Sequence, residues 1–384
     1  MTTTVESAVR ERYSEAANAP EAALCCPVEY NPQYLQIIPD EIIEKDYGCG
    51  DPSQHVGAGE IVVDLGSGGG KSCYIASQIV GAQGRVIGID MNDEMLALAR
   101  KYQPEIIAEV GYDNVEFRKG RIQDLSLDRD LLDAWLREHP VTDELSLRRM
   151  EETIARMRQE QPLVGDDSID VVISNCVLNL VSDGEKKELF NEVFRVLRRG
   201  GRAAISDIVA DEPVPQELKD DPELWSGCVS GAMQEEEFLK AFEAAGFYGI
   251  EMTKRDEQPW RVVGGIEFRA VTVVAYKGKE GECWDHNEAL IYRGPFRVVS
   301  DDDGHTFVRG QRVAVCRKTR EIFSCAPYDE YFEVVEPLNE VTEPEPFPCD
   351  DRTLLRHSRQ TKGGDYGLTT EAGEACCAPE GDRC

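Results

Sequence analysis

Two groups of residues in this chain could carry chemistry: a glycine-rich turn and an unusual number of cysteines. The turn reads Asp64-Leu65-Gly66-Ser67-Gly68-Gly69-Gly70 and sits where the apolar run Ile61-Val62-Val63 gives way to a helical pattern. Glycines there let a ligand approach the backbone, and the helix that follows offers unpaired N–H groups. A dinucleotide-binding turn is the obvious competitor, but its spacing is G-x-G-x-x-G; the D-x-G-x-G-x-G here is one residue tighter. Of thirteen cysteines, four occupy suggestive places: Cys49 just ahead of the fold, Cys73 in the first helix after the turn, Cys176 at the end of a strand pattern and Cys228 in a connecting segment. Taken singly, a cysteine in a helix or strand is more often a small buried hydrophobe than a ligand.

The elements that must position these residues follow a βαβα rhythm from Glu60 onward. Apolar runs at 61–66, 85–90, 114–120, 168–181 and 202–210 alternate with helical patterns at Lys71–Val80, Asp93–Lys101, Glu185–Arg198 and Glu235–Ala245. Near-continuous Val/Ile runs are what parallel strands buried on both faces look like. With 267–278 as a closing antiparallel strand, the pattern predicts a doubly wound α/β sheet of about seven strands, Rossmann-like in form. In such sheets ligands bind outside the carboxyl ends of the strands, so Cys176 is placed to face a reacting group and Cys228 can approach the same mouth. An interruption at about 126–167 reads as an inserted helical hairpin, with Leu147, Met150, Ile154 and Met157 on one helix face. Residues 1–59 read as an N-terminal cysteine-bearing segment, 60–280 as the main domain, 281–340 as a small β-rich C-terminal domain and 341–384 as a flexible cysteine-containing tail.

A net charge of −31, from 73 acidic against 42 basic residues, repels phosphate backbones and anionic lipid headgroups, which excludes nucleic acid and membrane as expected partners. The first thirty residues carry no apolar run of signal-peptide type, and no stretch approaches the ~18 apolar residues of a membrane span. A cytoplasmic location is the expectation. In that compartment thiols stay reduced, so the cysteines read as ligands, catalytic groups or buried packing rather than a disulfide scaffold. Cys283, Cys316, Cys325 and Cys349 contain no C-x-x-C pair and are assigned to packing or exposure.

The turn resembles motif I of class I S-adenosylmethionine methyltransferases, in which the loop packs against the methionine part of a ligand that has no phosphate. On that resemblance Asp64, Gly66 and Gly68 belong to the cofactor site, Asp90 accepts hydrogen bonds from the ribose hydroxyls, Met91 packs on the adenine, and Ile122 and Gln123 border it. An N-cap is the other reading of Asp90, a task that Asn92 and Asp93 can perform equally well. Tyr47-Gly48-Cys49-Gly50, the turn extended to Lys71-Ser72-Cys73-Tyr74, Ser174-Asn175-Cys176-Val177-Leu178-Asn179-Leu180 and Leu224-Trp225-Ser226-Gly227-Cys228 further resemble the arsenite methyltransferases. That resemblance spans roughly residues 25 to 280; the pairs Cys25-Cys26 and Cys376-Cys377 match more loosely, and the insertion at 126–167 is longer than in compact members.

The family resemblance implies an S-adenosylmethionine-dependent arsenite methyltransferase that gives mono-, di- and trimethylated arsenicals in arsenic detoxification. Cys176 and Cys228 are then the arsenic(III) ligands, with Cys73 either completing a three-sulfur site or acting in a redox step, and Cys49 as its partner. Trivalent arsenic is soft and prefers thiolates. Its substrate form is arsenite or the glutathione conjugate of arsenite, and thioredoxin or glutathione is the thiol reductant that resets the enzyme. Two rivals are a methyltransferase for an organic small molecule, which would need an acid–base residue or polar clamp where Cys176 stands, and a non-catalytic metalloid-binding protein, which would have no use for the glycine turn and Asp90. The pairs Cys25-Cys26 and Cys376-Cys377 and the last residue, Cys384, read either as a capture device for arsenic or as inert exposed thiols.

Overall fold

The computed structural model describes residues 5–18, 28–349 and 353–369, and the chain divides into two units after Gly278. The pairs Cys25-Cys26 and Cys376-Cys377 and the final Cys384 lie outside the described residues.

In the first unit the apolar runs become parallel strands: β1 (Ile61–Leu65), β2 (Arg85–Asp90), β3 (Val115–Lys119), β4 (Ile169–Asn175) and β5 (Leu197–Ala210). They pair in the order β3-β2-β1-β4-β5, β6 (Met233–Gln234) adds to the end of β5, and β7 (Tyr248–Arg255), β8 (Arg261–Val263) and β9 (Ile266–Tyr276) follow. β9 runs antiparallel between β5 and β7, so the order along the sheet ends β5-β9-β7. The doubly wound α/β sheet expected from the sequence is therefore present. Of its strands, Tyr248–Arg255 carries the weakest pattern in the sequence, because five of its last six residues are polar or glycine-adjacent and it buries little beyond its first two positions.

Helices precede the sheet as α1 (Val5–Asn18), α2 (Pro32–Leu35) and α3 (Asp40–Glu44). Along the sheet come α4 (Lys71–Val80), α5 (Asp93–Val110), α6 (Arg129–Glu138), α7 (Glu144–Glu160), α8 (Lys186–Val196), α9 (Gln216–Lys219), α10 (Pro222–Ser226) and α11 (Glu235–Ala245). Alternation along the strands divides the core between two faces. Val63, Leu65, Ile87 and Ile89 pack with Phe190 of α8 and Phe238 and Phe242 of α11, while Val62 and Val86 pack with Tyr74 of α4 and Leu96 of α5. Each such buried side chain contributes about 1.5–3 kcal/mol, which holds the strand ends in register. α5 outruns the expected end at Lys101: it continues through Pro104 to a left-handed Gly111 cap, with the buried Ile106 packed on the core beyond the proline.

The insertion is a pair of helices, α6 and α7, but the expected apolar face is only half covered. Met150, Ile154 and Met157 are partly buried, Leu147 is exposed, and the one fully buried residue of α7 is Thr153. No helix among the described residues is long and apolar enough to cross a membrane.

The second unit contains β10 (Trp284–Asp285), β11 (Ala289–Tyr292), β12 (Val298–Ser300), β13 (Thr306–Val308), β14 (Arg312–Ala314), α12 (Arg317–Phe323), β15 (Phe332–Val335), β16 (Glu345–Pro346) and α13 (Ser358–Lys362). β14-β11-β15 form a sheet whose core is Leu290, Tyr292, Phe307, Val313, Phe323 and Phe332. Two expectations are corrected here. The described part of 341–384 is not a separate tail: β16 pairs with β10, and the buried Arg356 reaches Asp285 at 2.6 Å. Cys283 and Cys349 are joined as a disulfide, because the β10–β16 pairing brings their flanking residues together.

Candidate active site

Parallel strands end at one rim, and the turns after β1, β2, β3 and β4 meet there. They line a cavity whose walls include Asp64, Gly66, Gly68, Asp90, Met91, Ile122 and Gln123, with Val9, Arg10 and Tyr13 from α1. Gly66 and Gly68 have φ of 69° and 50°, in the left-handed region. A Cβ on Gly66 would overlap Val177, whereas one on Gly68 would meet only open space, so the turn is bare where the cavity needs backbone. The Gly68 N–H donates to Asp90 Oδ2 at 2.9 Å and the Asn92 N–H to Oδ1 at 2.8 Å. Asn92 itself caps α5 by accepting the Met95 N–H at 3.0 Å, which leaves Asp90 free of that task.

An S-adenosylmethionine molecule fits this lining. Burial raises the Asp90 carboxyl above the usual aspartate range, and its remaining lone pairs are open to a diol that donates two hydrogen bonds. Met91 and Ile122 supply apolar surface for a purine. The Ser67 hydroxyl is buried with no hydrogen-bond partner among the described residues, as a group awaiting a ligand would be.

Cys176 lies on the wall of the same cavity. It follows the last residue of β4 with φ 63°, and Cys228 follows Gly227 with φ 59°. Non-glycine residues rarely adopt this conformation, which costs of order 1–3 kcal/mol. Two of the four described non-glycine residues that do so are these cysteines. The Cys228 thiol donates to the Cys176 carbonyl at 3.2 Å. The sulfurs of Cys49 and Cys176 and a carboxylate oxygen of Asp207 all lie within 4.8 Å of one another. Cys49, Cys176 and Cys228 belong to one buried cluster with Ile208, Val229 and Phe268.

Three polar groups hold this arrangement. Asn175 clasps the Cys49 loop: its Oδ1 accepts the N–H groups of Cys49 at 2.8 Å and Gly50 at 3.0 Å, while its Nδ2 donates to the Gly50 carbonyl at 2.7 Å and the Tyr30 hydroxyl at 3.0 Å. Asp207, pushed up to about 6 by burial, accepts the N–H groups of Leu178 at 2.9 Å and Ile208 at 2.7 Å and the Asn179 amide at 2.8 Å. It thereby fixes the segment that follows Cys176. The Tyr13 hydroxyl stands 3.9 Å from the Cys228 sulfur, and burial together with the Cys228 and Cys176 thiols raises its pKa well above the tyrosine range.

Cys73 is elsewhere. Expected either to complete the sulfur site or to act in a redox step, it stands apart from the other three in this structure: it packs between α4 and the sheet with Val62, Tyr74 and Phe117, and its thiol donates to Asp64 at 3.2 Å. Burial, then the Asp64 charge, raises its pKa well above the thiol range, so it stays protonated. Burial also pushes Asp64 up to about 7. The reason is helical geometry: Ser72 faces the cavity, and the next residue, a third of a turn round, faces the sheet.

Residues 57–159 and 142–246 match the model of a methyltransferase domain, and residues 279–366 match that of a domain of unknown function (DUF8838). An arsenite methyltransferase of Aquipseudomonas alcaligenes is 29% identical over 334 residues, which cover 82% of this chain and 85% of that protein. Another from Halobacterium salinarum is 39% identical over 212 residues, covering 55% of this chain and 43% of that protein. The crystal structure of an arsenic(III) S-adenosylmethionine methyltransferase from Chlamydomonas reinhardtii is similar with a TM-score of 0.53 and 26% identity, covering 84% of this chain and 99% of that one. Along most of its length the chain is similar to arsenite S-adenosylmethionine methyltransferases, and its first unit has a methyltransferase fold. At this site sequence reasoning missed Asn175, Asp207 and Tyr13. Asp207 was visible as a lone charge inside the buried strand Ala203-Ala204-Ile205-Ser206-Asp207-Ile208-Val209, and Asn175 as the polar neighbour of Cys176. Tyr13 carries no signal, because nothing in α1 says where that helix docks.

Proposed function

We propose that this enzyme methylates trivalent arsenic held by Cys49, Cys176 and Cys228, with S-adenosylmethionine as methyl donor. The observation that carries the reading is the pair of strained cysteines, Cys176 on the cavity wall and Cys228 bonded to its carbonyl, with the Cys49 sulfur within 4.8 Å of that of Cys176. S-adenosylmethionine supplies, when bound, an electrophilic methyl carbon on its sulfonium. The protein's part is placement: Asp90 and the glycine turn hold one reactant, and three thiolates hold the other, so that the arsenic lone pair meets the carbon in line. No general base is required, because the nucleophile is a lone pair.

Formation of the As–C bond returns the S–CH3 electrons to sulfur and takes arsenic formally to the pentavalent state. Two electrons must come back before a second methyl is added. Two thiolates of the cluster supply them by forming a disulfide, with Cys49 and Cys176, whose sulfurs lie within 4.8 Å of each other, as one such pair, and a cytoplasmic dithiol such as thioredoxin, or glutathione, reduces it. Repetition gives mono-, di- and trimethylated arsenicals, the products of a detoxification enzyme.

The test is mass spectrometry of arsenic species formed by purified protein with S-adenosylmethionine, arsenite and excess thiol. Methylarsenicals that require both cofactor and protein are expected, and Cys176→Ser or Cys228→Ser should abolish them while leaving cofactor binding intact. Bound cofactor with no methylated arsenic would overturn the reading in favour of an organic acceptor.

A further inference from the structure

The second unit contains its own set of three cysteines. Cys283, Cys316 and Cys349 come from three separate stretches of chain, yet their sulfurs all lie within 4.8 Å of one another. The first and third are clamped by backbone: Trp284 pairs with Pro346, Asp285 with Glu345, and the Phe347 N–H donates to the Cys283 carbonyl at 2.8 Å. The second, buried, stands immediately ahead of α12, its sulfur 3.3 Å from the Thr319 hydroxyl and accepting the Thr319 N–H at 3.5 Å. Cys283 and Cys349 form a disulfide while Cys316 remains a thiol. A staple needs two cysteines, and the third has no part in it.

We infer that, once the disulfide is reduced, Cys283, Cys316 and Cys349 form a second, non-catalytic binding site for trivalent arsenic. Three thiolate bonds of about 2.3 Å to a pyramidal centre place the sulfurs roughly 3.5 Å apart, so after reduction Cys283 and Cys349 need to separate and Cys316, within 4.8 Å of both, needs to close in only slightly. No fourth cysteine, histidine or carboxylate completes the group among the described residues. Zinc in a structural site takes four tetrahedral ligands, whereas three-coordinate arsenic fills its fourth direction with a lone pair. The choice of arsenic rests on the function proposed above. The chemistry balances in two steps. Two equivalents of a small thiol reduce the Cys283–Cys349 bond and leave as their own disulfide. Three cysteine thiols then displace three hydroxyls of arsenous acid as water, forming three As–S bonds.

The experiment is arsenic stoichiometry, by gel filtration and elemental mass spectrometry, on the full chain carrying serine at Cys25, Cys26, Cys176, Cys228, Cys376, Cys377 and Cys384. After reduction this protein should bind one arsenite per chain, and with the Cys283–Cys349 disulfide intact it should bind none. Cys316→Ser should lower the affinity at least tenfold. The oxidised and reduced forms are one polypeptide, so the comparison survives a misfolded variant. Equal binding in both forms, no effect of Cys316→Ser, or retention of zinc in place of arsenite would each overturn the inference. Failure of the proposed function would show separately, as wild-type protein that forms no methylarsenicals while this binding persists.

Discussion

Replacing Asn175 by alanine should release the loop that carries Cys49 without touching any sulfur. Three of the four hydrogen bonds made by the Asn175 side chain go to that loop: the N–H groups of Cys49 and Gly50 donate to it at 2.8 and 3.0 Å, and it donates to the Gly50 carbonyl at 2.7 Å. A net contribution of about 1 kcal/mol from each gives about 3 kcal/mol, which corresponds to a rise on the order of a hundredfold in the local opening equilibrium. Cys49 is 1% exposed, so its reaction with iodoacetamide must pass through that opening. The assay is the alkylation rate of each cysteine in reduced protein, followed by peptide mass spectrometry, with Cys73 as internal standard because it is buried in a separate cluster, against α4. Cys49 should alkylate roughly a hundredfold faster in Asn175→Ala and arsenite methylation should fall, while the Cys73 rate stays unchanged. An unaltered Cys49 rate would refute the clasp.

Gly48→Ala should reproduce that phenotype, since a Cβ there would overlap the Asn175 amide; wild-type alkylation and turnover would show the contact to be looser than described. Asp90→Ala should weaken S-adenosylmethionine binding by about 2–3 kcal/mol, or roughly 30- to 150-fold, from the loss of two charge-assisted hydrogen bonds. Titration calorimetry measures this, and unchanged affinity would remove Asp90 from the cofactor site. Burial makes Asp64 and Asp207 hold their protons to about 7 and about 6 in the folded state, against about 3.9 when unfolded. The stability this confers is whole below the unfolded value and is lost as pH climbs through 6 and then 7. Unfolding free energy should therefore fall between pH 5 and 8, and less steeply in Asp64→Asn; an identical slope in wild type and variant would contradict the assignment.

The fold was legible wherever burial on both faces leaves a near-continuous apolar run, as in Ile61-Val62-Val63 and Ile169–Asn175, and wherever glycine marks a stop, as at Gly246 after α11. It was less legible where tertiary packing overrides a local signal. α5 passes through Pro104, and residues 345–349 and 353–362 join the second unit despite a sequence too polar to announce it. At the site, the glycine turn and Asp90 could be read from spacing, because a strand–turn–helix junction has one geometry. The sulfur cluster could not: Cys73 sits beside that turn in sequence but is rotated onto the sheet, and Cys49 is held beside Cys176 by a side-chain clasp from Asn175 that no spacing in the sequence announces.

In the proposed arsenic site Cys49, rather than Cys73, is the third ligand beside Cys176 and Cys228. Arsenic K-edge X-ray absorption tests this on reduced chain loaded with one equivalent of arsenite, with serine at Cys25, Cys26, Cys316, Cys376, Cys377 and Cys384. The parent and Cys73→Ser should show arsenic bound by three sulfurs, and Cys49→Ser should show two sulfurs and one oxygen. Loss of a sulfur in Cys73→Ser with all three retained in Cys49→Ser would contradict the account.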